Sequence, residues 1–244
     1  MLTEITPVEL AAALDAAVAE ILQATGVIQP PVDALYVARE LSLTVAWDAR
    51  QVGRARIVHL ADTTAGPFAA SILLKPDPRA ERRQWALAHE IGEATAERIF
   101  RFLDVDPKEA AAASRETIAN QIAGRLLLPS DWFADQGVGC DWDLFALKRT
   151  FTTASHELIA RRMLDFDRPI IVTIFDQGER TWRRSNVAGR TPPLNGREQV
   201  CWRAAQRTSQ PVSDENSLQR IRTWPIHETD WQREIVLTEI LDEF

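Results

Sequence analysis

The sequence predicts an α+β fold, because helical and strand patterns occupy separate stretches of the chain. Apolar residues recur at helical spacing near the N-terminus, and two long helical stretches occupy the middle. Short segments rich in β-branched residues precede that helix pair and return after residue 168. This order is typical of α+β proteins rather than of proteins in which strands and helices alternate.

Two helices are expected at the start. The first covers residues 8–23 and places its apolar side chains on one face: Leu10, Leu14, Val18, Ile21 and Leu22. Gly26 and the Pro30-Pro31 pair end this helix, because neither residue type continues a helix readily. A second, short helix is expected over residues 32–41.

Three short strands are expected next, over residues 43–47, 56–60 and 69–74. Gly53 and the Gly66-Pro67 pair supply turns between them, at spacings typical of hairpins. We therefore expect a small antiparallel sheet.

The two long helices have clear start signals. The first begins with the Asp-Pro pair at 77–78, which offers an N-cap and a proline at the first helical position, and extends toward Leu103. The second begins with a capping box at 106–109 and continues to Leu128, where Pro129 stops it.

A pair of short helices follows. A loop is expected over residues 136–139, and helices over 143–150 and 155–164 flank a four-residue turn. These are the proportions of a helix-turn-helix-like unit. The unit carries a modest basic cluster of four residues: Lys148, Arg149, Arg161 and Arg162. DNA contact is one interpretation of this cluster, and a helix pair that only packs is the other.

The composition changes near Asp165, where strand patterns return. The expected elements are a strand at 169–175, a turn at 176–178, a strand at 180–184, a helix at 198–206, and two segments at 219–226 and 234–241 that fit strands or short helices. We therefore predict three segments, 1–135, 136–166 and 167–244, of which the last is a small α+β domain.

The composition also excludes several classes of protein. In 244 residues, 28 Lys and Arg against 35 Asp and Glu give a net charge of −7, which argues against a surface that coats nucleic acid broadly. No apolar run approaches the ~18–20 residues of a membrane-spanning helix, and the N-terminus lacks the features of a signal peptide. Two cysteines cannot make a disulfide framework, so we expect a cytoplasmic protein without a membrane partner.

Metal ligands with nitrogen or sulfur donors are scarce. The chain has two cysteines, Cys140 and Cys201, and four histidines: His59, His89, His156 and His227. Any metal site must therefore use carboxylates.

The pentapeptide His89-Glu90-Ile91-Gly92-Glu93 carries the clearest chemical signal. Residues four apart on a helix lie on one face, so His89 and Glu93 can bind the same metal ion. Glu90, rotated by about 100° around the axis, can flank that ion without binding it. In zinc peptidases with an H-E-x-x-H motif, a glutamate in this place is the general base. The alternative is an exposed helix with solvated acidic residues and a half-buried His89.

The second long helix carries a matching pair, Glu116 and Asn120, again four residues apart. Glu116 can complete a set of three protein ligands that leaves one position open, as in catalytic sites. Asn120 can hold the second ring nitrogen of His89 or orient a ligand carboxylate. The alternative for Glu116 is a surface acid paired with Arg115 or Arg101.

These residues lie in a pattern that resembles the ImmA/IrrE metallopeptidase family. The resemblance rests on residues 72–76, 81–92 and 119–129, which follow roughly the family order of a strand, R-x-x-x-A-H-E-[IL]-G-H and E-x-x-A-N-x-[FIV]-A-x-x-L-L-[ML]-P. It covers about residues 30–165. It implies a zincin-like peptidase core, with a small sheet and two metal-bearing helices, followed by a helix-turn-helix-like unit. Some members add a small sensor-like domain, to which residues 168–244 could correspond.

The resemblance implies a role for each motif residue. His89 and Glu116 become metal ligands and Glu90 the catalytic base, while Glu93 stands where the family has its second histidine. Zn2+ is the expected ion, and the carboxylate in place of imidazole also suits Mn2+ or Fe2+.

The resemblance further implies a metal-dependent endopeptidase that cleaves a transcriptional repressor in a stress or mobile-element response. Because Glu93 replaces a histidine, a second interpretation stays open: a non-catalytic regulator that binds such a repressor, or DNA, without cutting. His59, on a predicted strand near the motif, could supply the missing imidazole or be a structural histidine. Glu97 continues the helical row from Glu93 and is expected to be solvated.

Overall fold

The computed structural model describes residues 5–59, 70–103, 105 and 112–241, without the side chains of His59 and Ala112. These residues form eight α-helices and two β-sheets, which confirms the α+β class. None of the helices in these ranges is long and apolar enough to cross a membrane.

The chain divides into two units. The first consists of Met1–Asp141 with Leu147–Ser155, and the second of Trp142–Ala146 with His156–Phe244. The three-segment organisation predicted from the sequence stays a prediction.

The first unit opens with two helices and three strands that lie within two residues of their expected bounds. In chain order the unit contains α1 (Pro7–Thr25), α2 (Ala34–Glu40), β1 (Thr44–Trp47), β2 (Ala55–His59), β3 (Ala70–Leu74), α3 (Ala80–Phe102), α4 (Ala112–Leu127) and α5 (Ser130–Gly139). Thr6 and Glu9 form a capping box at the start of α1, and Gly26 ends the helix in the left-handed conformation.

The sheet of the first unit is mixed, so the expectation of an antiparallel sheet is wrong for one of its two pairings. The strand order is β1-β3-β2, in which β2 runs antiparallel to β3 and β1 runs parallel to it. β3 takes the central place because Ala70, Ile72 and Leu74 are all buried. β1 and β2 therefore do not pair across Gly53. The second expected turn, Gly66-Pro67, lies outside the described residues.

α3 begins later than the Asp77-Pro78 pair predicts. Arg79 is the N-cap residue, and no side chain caps the helix. The Asp77 carboxylate instead accepts a hydrogen bond from the backbone N–H of Arg79 at 2.8 Å. Aspartate favours such a turn for the same reason that it favours an N-cap, so the sequence pattern does not distinguish the two. The capping box at 106–109 lies outside the described residues.

The expectation of a loop over residues 136–139 is also wrong, because these residues belong to α5. Pro129 separates α4 from α5, as expected of a residue that cannot continue a helix. Gly137 is buried inside α5, so this glycine serves packing rather than a turn. Phe133 of the same helix packs edge to face on Phe151, with ring centroids 5.4 Å apart.

α4 is held against α1 and the start of α5 by a small polar cluster. The Asp15 carboxylate accepts hydrogen bonds from Arg125 Nε at 3.1 Å and from Ser130 Oγ at 2.5 Å. Beside this cluster lies a core of fully buried apolar side chains that includes Leu14, Ile122 and Leu126. α4, which carries the candidate ligand Glu116, therefore has a fixed position in the first unit.

The residues from 142 onward contain both helices and a sheet. α6 (Leu144–Thr150) is divided between the two units, and the second unit then contains α7 (His156–Arg162), a 3-10 turn (Met163–Asp165), β4 (Ile170–Asp176), β5 (Glu179–Ser185), α8 (Gly196–Thr208), β6 (Val212–Glu215), β7 (Gln219–Glu228) and β8 (Trp231–Ile240). The strands form an antiparallel sheet in the order β5-β4-β8-β7-β6. The two segments that fitted strands or short helices are the strands β7 and β8. The sequence analysis missed β6, whose four residues include two acids and one serine.

A buried carboxylate joins α8 to the sheet of the second unit. Glu198 is fully buried, and both of its oxygens bind Arg183, at 3.1 and 3.0 Å. Thr238 Oγ1 donates a further hydrogen bond to it at 2.5 Å, and Glu198 also forms the capping box of α8 with Asn195. The charge is thus fully hydrogen-bonded, as a buried carboxylate must be.

Candidate metal centre

Three residues of the motif lie in the middle of α3 and point in two directions. The side chains of His89 and Glu93 are 17% and 40% exposed, whereas Glu90 is only 5% exposed. Glu93 is therefore exposed, His89 is mostly covered and Glu90 is buried.

α4 brings Glu116 to the same place. His89 Nε2 lies 3.6 Å from Glu93 Oε1 and 3.5 Å from Glu116 Oε2. One ligand atom from each of the three residues lies within 4.8 Å of the other two. The three predicted ligands therefore come together, and this group could hold a metal ion.

The convergence depends on a close approach of the two helices. A Cβ atom built on Gly92 would lie 2.6 Å from the carbonyl oxygen of Ala119 and 3.1 Å from its Cα atom. Real Cβ atoms do not come so close to backbone atoms, so a glycine is required here. Gly92 and Ala119 directly precede Glu93 and Asn120, which places the tightest helix contact beside the site.

Asn120 contacts Glu116 on its own helix. Asn120 Nδ2 donates to Glu116 Oε1 and to the Glu116 backbone carbonyl, each at 3.0 Å. Of the two roles considered for this residue, orientation of a ligand carboxylate matches these contacts. A hydrogen bond of this kind restricts the rotamers of Glu116 and aims its other oxygen, Oε2, at His89.

Glu90 is anchored to the edge strand of the sheet. Its Oε2 atom accepts a hydrogen bond from the backbone N–H of Ile57 in β2 at 2.7 Å. Burial raises the pKa of the Glu90 carboxyl above its usual range, and the negative charges of Glu93 and Glu116 add to the rise. The Ile57 hydrogen bond and His89 oppose that rise.

All five predicted site residues line one open cleft with a volume of about 360 Å³. The cleft is completed by Trp85 and Ala86 of α3 and by residues 54–56 at the start of β2. Arg54 and Arg56 bring positive charge to its rim. The sequence analysis did not identify these two arginines, because the pairing of β2 with this region links residues that are distant along the chain.

The donor set fits a metal ion. Two ligands about 2.1 Å from a tetrahedral ion lie about 3.4 Å apart, close to the 3.5 and 3.6 Å separations at His89. Both separations exceed the usual N–H···O hydrogen-bond range of about 2.7–3.2 Å. One imidazole and two carboxylates suit zinc, manganese or iron. A cation would also offset the repulsion between Glu93 and Glu116.

Two other residues weighed from the sequence lie outside this group. Glu97 is exposed, as expected for the next position in the helical row. His59 ends β2, but its side chain lies outside the described part of the structure.

Most of the basic cluster in the helix-turn-helix-like segment is engaged within the protein. Lys148 Nζ donates to Glu81 Oε1 at 2.8 Å and to two backbone carbonyls. Arg161 pairs with Glu157 at 2.6 Å, and Arg162 is buried and pairs with Asp165. DNA binding through these side chains would require the contacts to break.

Comparisons with known proteins give matches among solved structures alone. No protein-family model matches the sequence, and no curated protein does. Among solved structures, a Mycobacterium tuberculosis transcriptional regulator aligns over 92% of this chain and 74% of its own, with a TM-score of 0.64 and 16% identity. At this identity the similarity concerns the fold alone.

Proposed function

We propose that this protein is a metal-dependent endopeptidase of the ImmA/IrrE type. The observation that carries the proposal is the convergence of His89, Glu93 and Glu116 at separations suited to one metal ion. Glu90 lies one residue from the first of these ligands and lines the same cleft. A histidine and two carboxylates with an adjacent glutamate form the set that metal-assisted peptide hydrolysis needs.

Each side chain then has a distinct task. His89, Glu93 and Glu116 would hold the ion, and Asn120 orients Glu116. When bound, the ion supplies Lewis-acid polarisation of a peptide carbonyl and makes water more acidic. Glu90 takes the proton from water and returns it to the leaving amine. Since Glu90 Oε2 is held by Ile57, we assign the proton transfer to Oε1.

Zinc is the ion that we propose, with manganese or iron as alternatives. The separations at His89 match a tetrahedral ion of zinc size. Replacement of an imidazole by the Glu93 carboxylate increases the preference for harder ions and makes the site more negative.

For the substrate we propose a transcriptional repressor, as the family resemblance implies, in a stress or mobile-element response. The Mycobacterium tuberculosis neighbour is described as a transcriptional regulator, which is in keeping with a regulatory role.

The second candidate function is a regulator that binds such a repressor without cutting it. The observation that favours it is the carboxylate at position 93. Glu93 is 40% exposed and stands in place of the second motif histidine. Within this alternative, protein binding is favoured over DNA binding, because Lys148 and Arg162 are largely buried and already pair with carboxylates of this chain.

Metal analysis of the purified chain tests the metal site on which the enzyme proposal depends. We expect close to one equivalent of a transition metal in the natural protein, and loss of that metal in His89→Ala and Glu116→Ala. Glu97→Ala is the matched control, because it removes an exposed carboxylate one turn beyond Glu93. Less than about one-tenth of an equivalent, unchanged in the ligand variants, would overturn the enzyme proposal.

Glu90→Gln tests the chemical role independently of metal binding. This variant should keep the metal and lose cleavage of a quenched-fluorescent peptide library that the natural chain cuts. Retained cleavage would show that Glu90 is not the base. A natural chain that holds the metal and cuts neither library peptides nor repressor proteins would favour the non-cleaving regulator.

A further inference from the structure

A second cavity adjoins the metal cleft along α3. It has a volume of about 220 Å³ and shares Arg54 and Ala86 with the cleft. Ala86 lies one turn before Glu90 on the same helix. The two cavities therefore follow each other along α3, with the metal group at one end.

The second cavity is strongly basic. Four cationic side chains line it, Arg54, Lys75, Arg82 and Arg83, against a single carboxylate, that of Asp77. Asp77 is already engaged, because one of its oxygens accepts a hydrogen bond from the backbone of Arg79 and the other lies 3.7 Å from Arg82.

Two of the four cations are available for a ligand. Arg54 and Lys75 are exposed, and neither pairs with a carboxylate among the residues that the structure describes. The local net charge of +3 contrasts with the −7 of the whole chain. A concave site with one sign of charge concentrates ligands of the opposite sign.

We propose that this basic cavity is a specificity subsite that binds an acidic side chain of the peptide substrate. The inference rests on the proposed function, which places the scissile bond at the metal group. Arg82 and His89 are seven residues apart on α3, or about 10 Å along the helix axis. An extended peptide covers about 3.3 Å per residue, so the acidic residue lies about three positions from the scissile bond.

The shape of the site favours a peptide carboxylate over the phosphates of DNA. The four cations surround a small cavity instead of following an extended surface on which a duplex could lie. Arginine binds a carboxylate through two parallel hydrogen bonds, and such a fork fits one Asp or Glu side chain. The cavity also shares Arg54 and Ala86 with the cleft that would hold the peptide backbone.

The test measures binding of peptides instead of cleavage. Three fluorescently labelled decapeptide pools, identical except for Glu, Gln or Lys at one fixed position, are titrated against the full chain in zinc-containing buffer. All proteins carry Glu90→Gln, so that no peptide is cut. The test variant adds Arg54→Gln with Lys75→Gln. Its control adds Arg39→Gln with Arg203→Gln, which removes two exposed arginines elsewhere.

We expect the Glu pool to bind about tenfold more tightly than the Gln pool, from two or three partly exposed ion pairs. The Arg54/Lys75 variant should lose this difference, and the Arg39/Arg203 control should keep it. Equal binding of the Glu and Gln pools, or a difference that survives in the Arg54/Lys75 variant, would overturn the inference. The competitor is a short random DNA duplex, added at a concentration that supplies the same number of negative charges as the Glu pool. Displacement of the Glu pool by this duplex would assign the cavity to nucleic acid and would also overturn the inference.

Metal content, measured on the same preparations, reports on the proposed function separately. Absence of metal would contradict the proposed function. The preference for Glu peptides would still be measured, because it is read from the binding titration. Metal bound without any preference for Glu would contradict the subsite alone.

Discussion

The backbone carbonyl oxygen of Ala119 lies 2.6 Å from the position that a Cβ atom on Gly92 would occupy. Gly92 belongs to α3 and Ala119 to α4, and the candidate metal ligands of both helices lie within three residues of this contact. The 3.5 Å separation between His89 and Glu116 therefore depends on a residue without a side chain.

Gly92→Ala should push the two helices apart. We expect it to lower the free energy of unfolding by about 1–3 kcal/mol, the usual cost of overpacking, partly offset by the better helix propensity of alanine. Zinc affinity should fall as well, because Glu116 moves away from His89. Chemical denaturation and zinc titration measure the two effects.

Gly139→Ala is the control for this substitution. It lies at the end of α5, and nothing lies within 4 Å of its added Cβ atom, so stability should not fall and zinc affinity should be unchanged. Unaltered zinc affinity in Gly92→Ala would show that the close contact does not position the site.

The local part of the site could be predicted from the sequence, because a helix fixes the geometry of residues four apart. This holds for His89 with Glu93 and for Glu116 with Asn120. The relation between the two helices could not be predicted in the same way, since it depends on a backbone contact at Gly92. The bond from Ile57 to Glu90 joins residues 33 positions apart, and no local pattern specifies it.

The errors in the fold have a common cause, which is a local signal with two structural uses. Asp77 can cap a helix or close a turn, and it closes a turn. Gly137 can end a helix or fill a tight space within one, and it lies buried inside α5. In the same way, turn residues around Gly53 are compatible with a hairpin, but they do not specify which strand lies in the centre of the sheet. That choice follows from the burial of β3.

Asn120→Ala tests the positioning of Glu116. Loss of the 3.0 Å hydrogen bond to Glu116 Oε1 frees the carboxylate to rotate toward solvent, where it is already 58% exposed. We expect metal affinity to fall about 10- to 100-fold, the usual range for residues that support a ligand, with little change in thermal stability. Metal competition with a chromophoric chelator measures the affinity.

Thr117→Ala is the comparison for Asn120→Ala, since Thr117 is exposed on the same helix and its hydroxyl donates to the backbone carbonyl of Ala113 in that helix. Equal metal affinity in the two variants would contradict the positioning role of Asn120.

Glu93→His introduces the histidine that the motif of the resembled ImmA/IrrE family has at this position. Imidazole in place of carboxylate removes one negative charge and favours zinc over manganese. We therefore expect the ratio of zinc to manganese affinity to rise, as measured by parallel titrations with the two ions. Glu97→His, one turn further along α3, should leave the ratio unchanged.

Activity in the Glu93→His variant then separates the two candidate functions. Cleavage that appears only in this variant would identify the natural chain as the non-cleaving regulator. Cleavage in both proteins would support the altered site as a working one. An unchanged ratio of metal affinities would show that residue 93 does not contact the ion.

Glu198→Gln tests the buried carboxylate of the second unit. Gln cannot accept hydrogen bonds from Arg183 through both of its side-chain atoms, because its NH2 group is a donor. The arginine keeps the carbonyl oxygens of Pro192 and Pro193 as acceptors, but its buried charge then has no carboxylate opposite it. Removing one member of a buried pair costs about 3–5 kcal/mol, a large part of the total stability of a small domain.

Glu215→Gln is the matched control, because Glu215 is 54% exposed in its pair with Arg220 and such surface pairs contribute about 1 kcal/mol or less. We expect the denaturation midpoint to fall strongly in Glu198→Gln and little in Glu215→Gln. Equal shifts in the two variants would mean that the Glu198–Arg183 pair adds no more stability than a surface contact.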